Sequence, residues 1–182
     1  MIKFLKKHKS NIIFIIVIVF IMMPTTKEWL IKTMSFSPSV NTEEIVLKDY
    51  QWSLKAINGE LLNFSELKGK VVFVNFWATW CAPCRAEMPA IQALYTKYKD
   101  DVAFVFISQE SKAEVLPFME KYNYNLPIYS AATRIPNKLN TSNSIPNTYV
   151  ISKKGKIVIH KTGAANWDSK ATYKIMDTLI AE

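Results

Sequence analysis

The fold is decided by residues 71–89, which read VVFVNFWATWCAPCRAEMP. The stretch opens with Val71–Phe76, an almost continuous apolar run of strand length, which is typical of a central strand covered on both faces. Apolar side chains then recur at every third or fourth position and predict a helix from near Cys84 to about Tyr98. Pro89 lies inside this segment and predicts a kink. A buried strand therefore passes directly into a helix.

Both cysteines of the protein lie at this junction, as Cys81-Ala82-Pro83-Cys84. The N-terminus of a helix carries a partial positive charge and unpaired N–H groups, which favour a thiolate at Cys81. The thiolate is the form of cysteine that attacks disulfides. Cys84 lies one helical turn further along and can reach Cys81 to form an internal disulfide. The motif therefore predicts thiol–disulfide exchange.

A structural disulfide is the alternative function for this pair, since such bridges are common in exported domains. It fits poorly, because stabilisation increases with the size of the loop that a bridge closes, and this loop is minimal. A tight bridge of this kind is more typical of labile, catalytic disulfides.

The N-terminal segment predicts a membrane anchor. Residues 12–23 carry no polar side chain, and residues 10–26 carry no charge. As a helix the uncharged stretch would span roughly 26 Å, close to a hydrocarbon core of about 30 Å. Lysines precede it, so we expect the N-terminus to stay in the cytoplasm and the rest of the chain to face outward, in a periplasm or at the outer face. A cleaved signal peptide and a buried soluble helix are the alternatives.

The composition predicts three parts of the chain. Residues 1–26 form a basic cytoplasmic tail and a signal-anchor helix, residues 27–46 a linker, and residues 47–182 a folded domain. Residues 33–42 are rich in Ser, Thr, Pro and Asn and show no periodicity, as is typical of a tether.

The composition also excludes several classes of function. The four glycines are too widely spaced for a phosphate-binding loop, and two cysteines with two histidines do not form the common zinc motifs. Four of the eight net positive charges come from lysines in the first nine residues. No basic stripe with interleaved aromatic residues follows, so we expect no binding to nucleic acid.

The other predicted elements complete a mixed α/β pattern. Alternating residues on both sides of Asn58-Gly59 predict a hairpin with a type I′ turn. Ser111 and Glu114 fit a capping box. The remaining elements are strands at 102–107, 126–129, 148–152 and 156–161 and helices from Ser111 to about Tyr122 and from Asp168 to about Ile180. Their order predicts a mixed sheet with an N-terminal β-hairpin extension and helices on both faces.

Residues 76–89, FWATWCAPCRAEMP, resemble the TlpA/ResA-type branch of the thioredoxin superfamily. Members of this branch are membrane-anchored, extracytoplasmic thiol–disulfide oxidoreductases, and the resemblance covers about residues 50–180. It implies a thioredoxin-like fold without a metal or another cofactor. It also implies that Cys81 attacks the substrate, that Cys84 resolves the mixed disulfide, and that the two form a redox-active disulfide.

Glu87 occupies the acidic position of the Cys-x-x-Cys-x-x-Glu-x-Pro pattern of this branch, whereas thioredoxins themselves carry a buried acid where Asn75 stands. Glu87 follows Cys84 by three residues, so both lie on one helix face. Its carboxylate could accept or return the proton as Cys84 attacks. A solvated acid near the helix N-terminus is the alternative.

The resemblance further implies a substrate surface. Ile145 and Pro146 stand where the family carries a cis-proline opposite the cysteines, and the backbone before that proline pairs with the substrate as an added strand. An ordinary turn proline is the alternative. Asn147 replaces the Thr that is more familiar after this proline. We also expect Trp80 and Pro83 to meet the substrate.

Two neighbouring features are expected to be structural. Trp77 is predicted to lie in the core. The segment 163–167, which precedes the last helix, would approach the same end of the sheet.

The dipeptide Ala82-Pro83 between the cysteines favours a reducing protein. It is uncharged, and Pro83 has no N–H to donate to a thiolate. Strong oxidants owe their potential to a heavily stabilised thiolate, so we expect a potential nearer to about −270 mV than to about −120 mV.

The predicted function is therefore the reduction of disulfides in exported proteins, with apocytochrome c thiols as a substrate class that the resemblance suggests. A membrane thiol carrier would resupply the electrons, because the outer compartment is oxidising. A disulfide oxidase or isomerase of the same fold is one alternative. The other is a Sco-like copper carrier with His160 as a ligand, although the cysteines of such carriers are one residue further apart.

Overall fold

A computed structural model of the chain describes Phe14, Ile18 and residues 37–41, 44–139 and 144–182. Its strands are β1 (Ser53–Ala56), β2 (Leu61–Asn63), β3 (Val71–Phe76), β4 (Val102–Ile107), β5 (Ile128–Ala131), β6 (Asn147–Ile151) and β7 (Ile157–Thr162). Its α-helices are α1 (Ala82–Tyr98), α2 (Lys112–Lys121) and α3 (Lys170–Ile180), and two 3₁₀ helices cover Phe64–Leu67 and Asn137–Leu139. The strands form one sheet in the order β2-β1-β5-β4-β3-β6-β7.

The centre of the sheet is the parallel pair β3 and β4. Their register runs from Val71 opposite Val102 to Phe76 opposite Ile107, and β6 pairs antiparallel with the other edge of β3. The first five side chains of β3 are all buried, because this strand is covered on both faces. The two strands predicted at 71–76 and 102–107 are confirmed residue for residue.

The two faces of the sheet are covered by different kinds of structure. Most of the buried side chains of α1, α2 and α3, among them Leu94, Val115 and Met176, belong to one hydrophobic cluster. The cluster on the opposite face is built from residues 47–67 and from the 3₁₀ helix that contains Leu139. Alternate residues of the central strands contribute to the two clusters in turn.

The sequence predicted helices on both faces of the sheet. Within the described residues, the second face carries only the two 3₁₀ helices. The reason is the strand order. The connections β3-α1-β4 and β4-α2-β5 step in the same direction across the sheet. Right-handed crossovers that step in the same direction place their helices on the same face.

The predicted N-terminal hairpin is confirmed, but its turn is not of type I′. A type I′ turn needs positive φ at both central residues. Gly59 has a φ of +100°, whereas Asn58 does not have a positive φ. The Ala56 N–H bonds to the Glu60 carbonyl and the Gly59 N–H to the Ala56 carbonyl, each at 2.8 Å. The loop therefore contains three residues, and such loops end on a residue in the left-handed region.

α1 begins at Ala82, two residues before the predicted start near Cys84. The starts of α2 and α3 agree with the sequence except for one residue. α2 begins at the predicted capping box, in which the Ser111 N–H donates to Glu114 Oε2 at 2.8 Å. The N-cap of α3 is Ser169 rather than the predicted Asp168. The Ser169 hydroxyl accepts a backbone N–H of the first turn at 3.1 Å, whereas Asp168 accepts the Tyr173 hydroxyl instead.

The predicted membrane anchor, residues 10–26, lies outside the described residues except for Phe14 and Ile18, which are helical and exposed. Within the part of the chain that the structure covers, no helix has the length and apolar character needed to cross a bilayer.

The described part of the predicted linker, residues 37–41 and 44–46, runs along the outer edge of β7. The Asn41 N–H bonds to the Val158 carbonyl at 2.7 Å, and the Ile157 N–H bonds to the Ile45 carbonyl at 2.8 Å. These residues therefore add backbone hydrogen bonds to the last strand of the sheet.

Candidate active site

The junction between β3 and α1 carries both cysteines. The Trp77 N–H bonds to the Ile107 carbonyl at 3.1 Å, so the chain leaves the sheet after this residue. Cys81 is the N-cap of α1, and its Sγ accepts a hydrogen bond from the Cys84 N–H at 3.3 Å. The Cys81 sulfur therefore lies at the positive end of the helix dipole, next to unpaired N–H groups that stabilise negative charge.

Cys81 and Cys84 form a disulfide, with their Cα atoms 5.2 Å apart. Cys81 is 4% exposed, and Cys84 is fully buried. Of the two cysteines, Cys81 is therefore the less buried and the easier for a disulfide of another protein to approach. This difference supports the expected roles, in which Cys81 attacks and Cys84 resolves.

Glu110 holds the loop that precedes Cys81. Its carboxylate accepts the Thr79 N–H at 2.7 Å and also the Thr79 hydroxyl. The Ser108 hydroxyl donates to the same carboxylate at 3.2 Å. Glu110 was not predicted to belong to the site. It lies in a polar turn after β4, and no local sequence pattern indicates its contact with Thr79.

Glu87 lies on α1, one turn after Cys84, and is only 3% exposed. The predicted alternative of a solvated acid is therefore excluded. The Trp167 indole N–H and the Ala165 N–H donate to Glu87 Oε2 at 2.9 and 3.1 Å. Asn75 Nδ2 donates to the other carboxylate oxygen at 3.1 Å.

Burial raises the pKa of Glu87 to about 7, although the hydrogen bonds from Trp167, Ala165 and Asn75 and the charge of Lys161 lower it. Burial dominates because water no longer solvates the charged form. A carboxyl group with a pKa near neutrality exchanges its proton readily at physiological pH. Glu87 is therefore a candidate general acid–base for this site.

The donors to Glu87 were not predicted from the sequence. Residues 163–167 were expected to be structural, and Asn75 was only compared with the buried acid of thioredoxins. Asn75 is fully buried and also donates to the Thr148 hydroxyl at 2.8 Å. Trp167 lies 80 residues from Glu87 along the chain, and no local sequence pattern connects the two.

The peptide bond between Ile145 and Pro146 is cis, as the resemblance implies. The Ile145 carbonyl oxygen lies 3.7 Å from Cys81 Sγ. The Pro146 carbonyl accepts the Gly163 N–H at 2.9 Å, which ties this loop to the end of β7. The structure thus places the predicted proline loop directly opposite the attacking cysteine.

Asn147, which follows the cis-proline, is buried in a polar cluster. Its Nδ2 donates to the Tyr149 hydroxyl and its Oδ1 contacts His160 Nε2, both at 3.0 Å. The Tyr149 and His160 rings stack, with their centroids 4.4 Å apart. Burial lowers the pKa of His160. Within the described residues, no three His, Cys, Asp or Glu side chains lie close enough together to hold a metal ion.

Trp80 and Ile145 line a groove of about 540 Å³ next to the cysteines. Trp80 is 71% exposed, whereas Trp77 is almost fully buried, as predicted. Pro83 is half-buried and does not line this groove. A larger cavity of about 1110 Å³ lies between residues 44–51 and 133–138. The groove at Trp80 and Ile145 is the candidate substrate site, because the Ile145 carbonyl lies 3.7 Å from Cys81 Sγ.

The sequence matches the AhpC/TSA family over residues 47–160, which is more than half of the chain. The chain belongs to this family. It is also 31% identical over 174 residues to the thiol-disulfide oxidoreductase ResA of Oceanobacillus iheyensis, a match that covers 92% of this chain and 90% of that protein. The resemblance to the TlpA/ResA-type proteins is therefore confirmed.

Two proteins of Bacillus subtilis each match more than half of the chain. The thioredoxin-like protein YneN is 39% identical over 110 residues, which cover 58% of this chain and 64% of YneN. The thiol-disulfide oxidoreductase ResA is 38% identical over 112 residues, which cover 60% of this chain and 63% of ResA. The chain thus spans somewhat less than two thirds of the length of these two relatives.

Solved structures confirm the thioredoxin-like fold. StoA from Bacillus subtilis superimposes with a TM-score of 0.54 at 22% identity and covers 78% of this chain and 100% of its own. A thiol:disulfide interchange protein of the thioredoxin family from Chlorobium tepidum superimposes with a TM-score of 0.59 at 24% identity and covers 77% of this chain and 99% of its own.

Proposed function

We propose that the protein is an extracytoplasmic thiol–disulfide oxidoreductase that reduces disulfides in exported proteins. The observation that carries the proposal is the position of the Cys81–Cys84 disulfide at the N-terminus of α1, one turn before a buried carboxyl group. This arrangement supplies an activated sulfur, a resolving sulfur and a proton acceptor within one helix. Membership of a family that includes the ResA proteins supports the same activity.

In the first step, the Cys81 thiolate attacks one sulfur of a substrate disulfide. A mixed disulfide forms, the substrate bond breaks, and the other substrate sulfur leaves as a thiolate. The helix dipole and the N–H of Cys84 favour the attacking thiolate.

In the second step, Cys84 gives its proton to the Glu87 carboxylate and attacks Cys81 Sγ. The mixed disulfide breaks, the second substrate sulfur leaves as a thiolate, and it takes up a proton. The substrate gains two electrons and becomes a dithiol, and the protein is left with the Cys81–Cys84 disulfide. A buried carboxyl group with a pKa of about 7 is suited to this transfer, because it binds and releases protons near neutrality.

The substrate segment is proposed to bind along the groove between Trp80 and Ile145. The Ile145 carbonyl and N–H would pair with the extended backbone of the substrate, as in strand addition. The exposed Trp80 ring would cover the apolar residues that flank the substrate cysteine. Both contacts bring a substrate sulfur toward Cys81, whose Sγ lies 3.7 Å from the Ile145 carbonyl.

The location and the partners are proposed from the sequence. We propose an uncleaved anchor at residues 10–26, with the catalytic domain outside the cytoplasm. A membrane thiol carrier would then return the disulfide to the dithiol, because the outer compartment is oxidising. Apocytochrome c thiols are the proposed substrate class.

The two cysteine roles are tested by trapping. In the full-length chain, Cys84→Ser leaves the attacking sulfur but removes the resolving one, so mixed disulfides with exported proteins should accumulate. They are detected as bands on a non-reducing gel that disappear with dithiothreitol. Cys81→Ser is the matched control and should trap nothing. Equal trapping by both variants would contradict the assignment of roles.

The direction of the reaction is tested by a redox titration of the full-length chain in glutathione buffer. We expect a potential near that of thioredoxin, about −270 mV. A potential above about −180 mV would favour the disulfide oxidase or isomerase. Stoichiometric copper binding that requires His160 but not Glu87 would favour the copper carrier.

A further inference from the structure

Trp167 contacts Glu87 but has no part in the two reaction steps proposed for the protein. Its side chain is fully buried, and its indole N–H donates to Glu87 Oε2 at 2.9 Å. The ring packs edge-on against Phe73 of β3, with centroids 5.0 Å apart and planes at 82°. This packing prevents the ring from turning away, so the N–H stays directed at the carboxylate.

The carboxylate of Glu87 receives donors on both oxygens. Ala165 N–H shares Oε2 with Trp167, and Asn75 Nδ2 donates to Oε1. Hydrogen bonds of this kind favour the charged form, whereas burial favours the neutral acid. The balance between the two decides whether Glu87 can take a proton from Cys84 at neutral pH.

We propose that Trp167 is a positioning residue for this proton transfer, because its indole N–H fixes the orientation of the Glu87 carboxylate that takes the proton from Cys84. The inference rests on the proposed function, since the proton comes from Cys84 during the second step. It assigns a chemical role to the segment 163–167, which joins β7 to α3.

Few other charged or titratable groups face Glu87. Lys161 on β7 contributes a favourable charge interaction, and β3 contributes the uncharged Asn75. Its own helix contributes Cys84, which does not titrate while the disulfide is intact. His160, the neighbour of Lys161, contacts Asn147. We therefore expect the indole N–H of Trp167, which donates to Glu87 Oε2, to follow the titration of Glu87 in the disulfide form.

The contact is tested in the ¹H–¹⁵N spectrum of the full-length chain in its disulfide form. The chain has five tryptophans, and the resonance that is lost in Trp167→Phe identifies the indole of Trp167. We expect this resonance to shift with a midpoint near pH 7 in the wild type. Glu87→Gln should abolish the shift, whereas His160→Gln should leave it. A resonance that does not titrate, or that follows His160 instead, would overturn the inference.

The consequence for the reaction is tested by the rate at which Cys84 releases a peptide from a mixed disulfide with Cys81. Trp167→Phe removes a hydrogen bond to a charged group. The acidic limb of its pH–rate profile should therefore shift to higher pH by about one to two pH units. At pH 6 the release should therefore be at least about tenfold slower than in the wild type.

Trp52→Phe is the matched control, because Trp52 is equally buried but its indole N–H has no partner among the described residues. Its pH–rate profile should match that of the wild type. Identical profiles for Trp167→Phe and the wild type would overturn the inference while leaving the reductase activity intact. A chain that reduces no disulfide, but whose Trp167 resonance still titrates with Glu87, would instead contradict the proposed function.

Discussion

Glu87 should make the disulfide form less stable as the pH rises. Its pKa is about 7 in the folded protein, where burial dominates, and near 4.5 in the unfolded chain. Between these two pH values the folded state binds more protons than the unfolded state, so the free energy of unfolding decreases as the pH increases. The loss should amount to about 3 kcal/mol between pH 4.5 and 7.

Glu87→Gln should remove this loss, because the glutamine side chain does not titrate. The measurement is urea unfolding of the disulfide form at several pH values between 4 and 8. Glu44→Gln is a suitable control, because Glu44 is exposed and should leave the slope unchanged. If Glu87→Gln retains the slope of the wild type, another group is responsible for it.

At the scale of single residues, the sequence identified the reacting groups but not their surroundings. Cys81 and Cys84 were predictable because their spacing alone carries the chemistry. The role of Glu87 came from its place in a family pattern. Its burial could not be read from α1, because the contacts that bury it come from β3 and from residues 163–167.

At the scale of elements, the N-cap of α3 offers a test of the observed helix start. Ser169→Ala removes the hydroxyl that accepts a backbone N–H of the first turn, and should lower the free energy of unfolding by about 1 kcal/mol. Asp168→Ala should cost less, because Asp168 is exposed and does not cap the helix. Thermal unfolding of both variants distinguishes the two residues, and the opposite order would restore Asp168 as the N-cap.

The elements also show where local patterns are sufficient. β3 and β4 were predicted to the residue, because an apolar run of strand length is typical of a buried strand. The hairpin at Asn58-Gly59 was predicted correctly, but its turn type was not. The turn type depends on how many unpaired residues lie between the two strands. The face on which α2 packs depends on the strand order, which no single segment specifies.

At the scale of the whole molecule, the N-terminal hairpin region carries one of the two hydrophobic clusters. Phe64 is fully buried there and stacks on Trp52, with ring centroids 4.2 Å apart. Phe64→Ala should destabilise the protein by about 3–5 kcal/mol, because it leaves a cavity beneath the sheet.

Leu61→Ala is the control for this prediction, because Leu61 is 68% exposed and should change the stability by less than about 0.5 kcal/mol. Both values come from chemical denaturation of the disulfide form. Equal effects of the two substitutions would show that the hairpin region is not part of the stabilising core.

The long-range contacts of the site show why the whole molecule was harder to predict than its parts. Cys81 and Ile145 are 64 residues apart, and Glu87 and Trp167 are 80 residues apart. The first contact was expected because the family resemblance implies a cis-proline opposite the cysteines. The second has no such precedent in the motif, and only the folded chain brings the two residues together.

The backbone hydrogen bonds that Asn41 and Ile45 make with β7 also affect how copies of the protein interact at high concentration. A free sheet edge offers unpaired N–H and C=O groups to neighbouring chains and is a starting point for aggregation. On this side the polypeptide covers its own edge. The opposite edge is β2, which is only three residues long and gives a neighbour little to extend. The groove at Trp80 and Ile145 can thus stay open while the sheet offers neighbouring chains little free edge for aggregation.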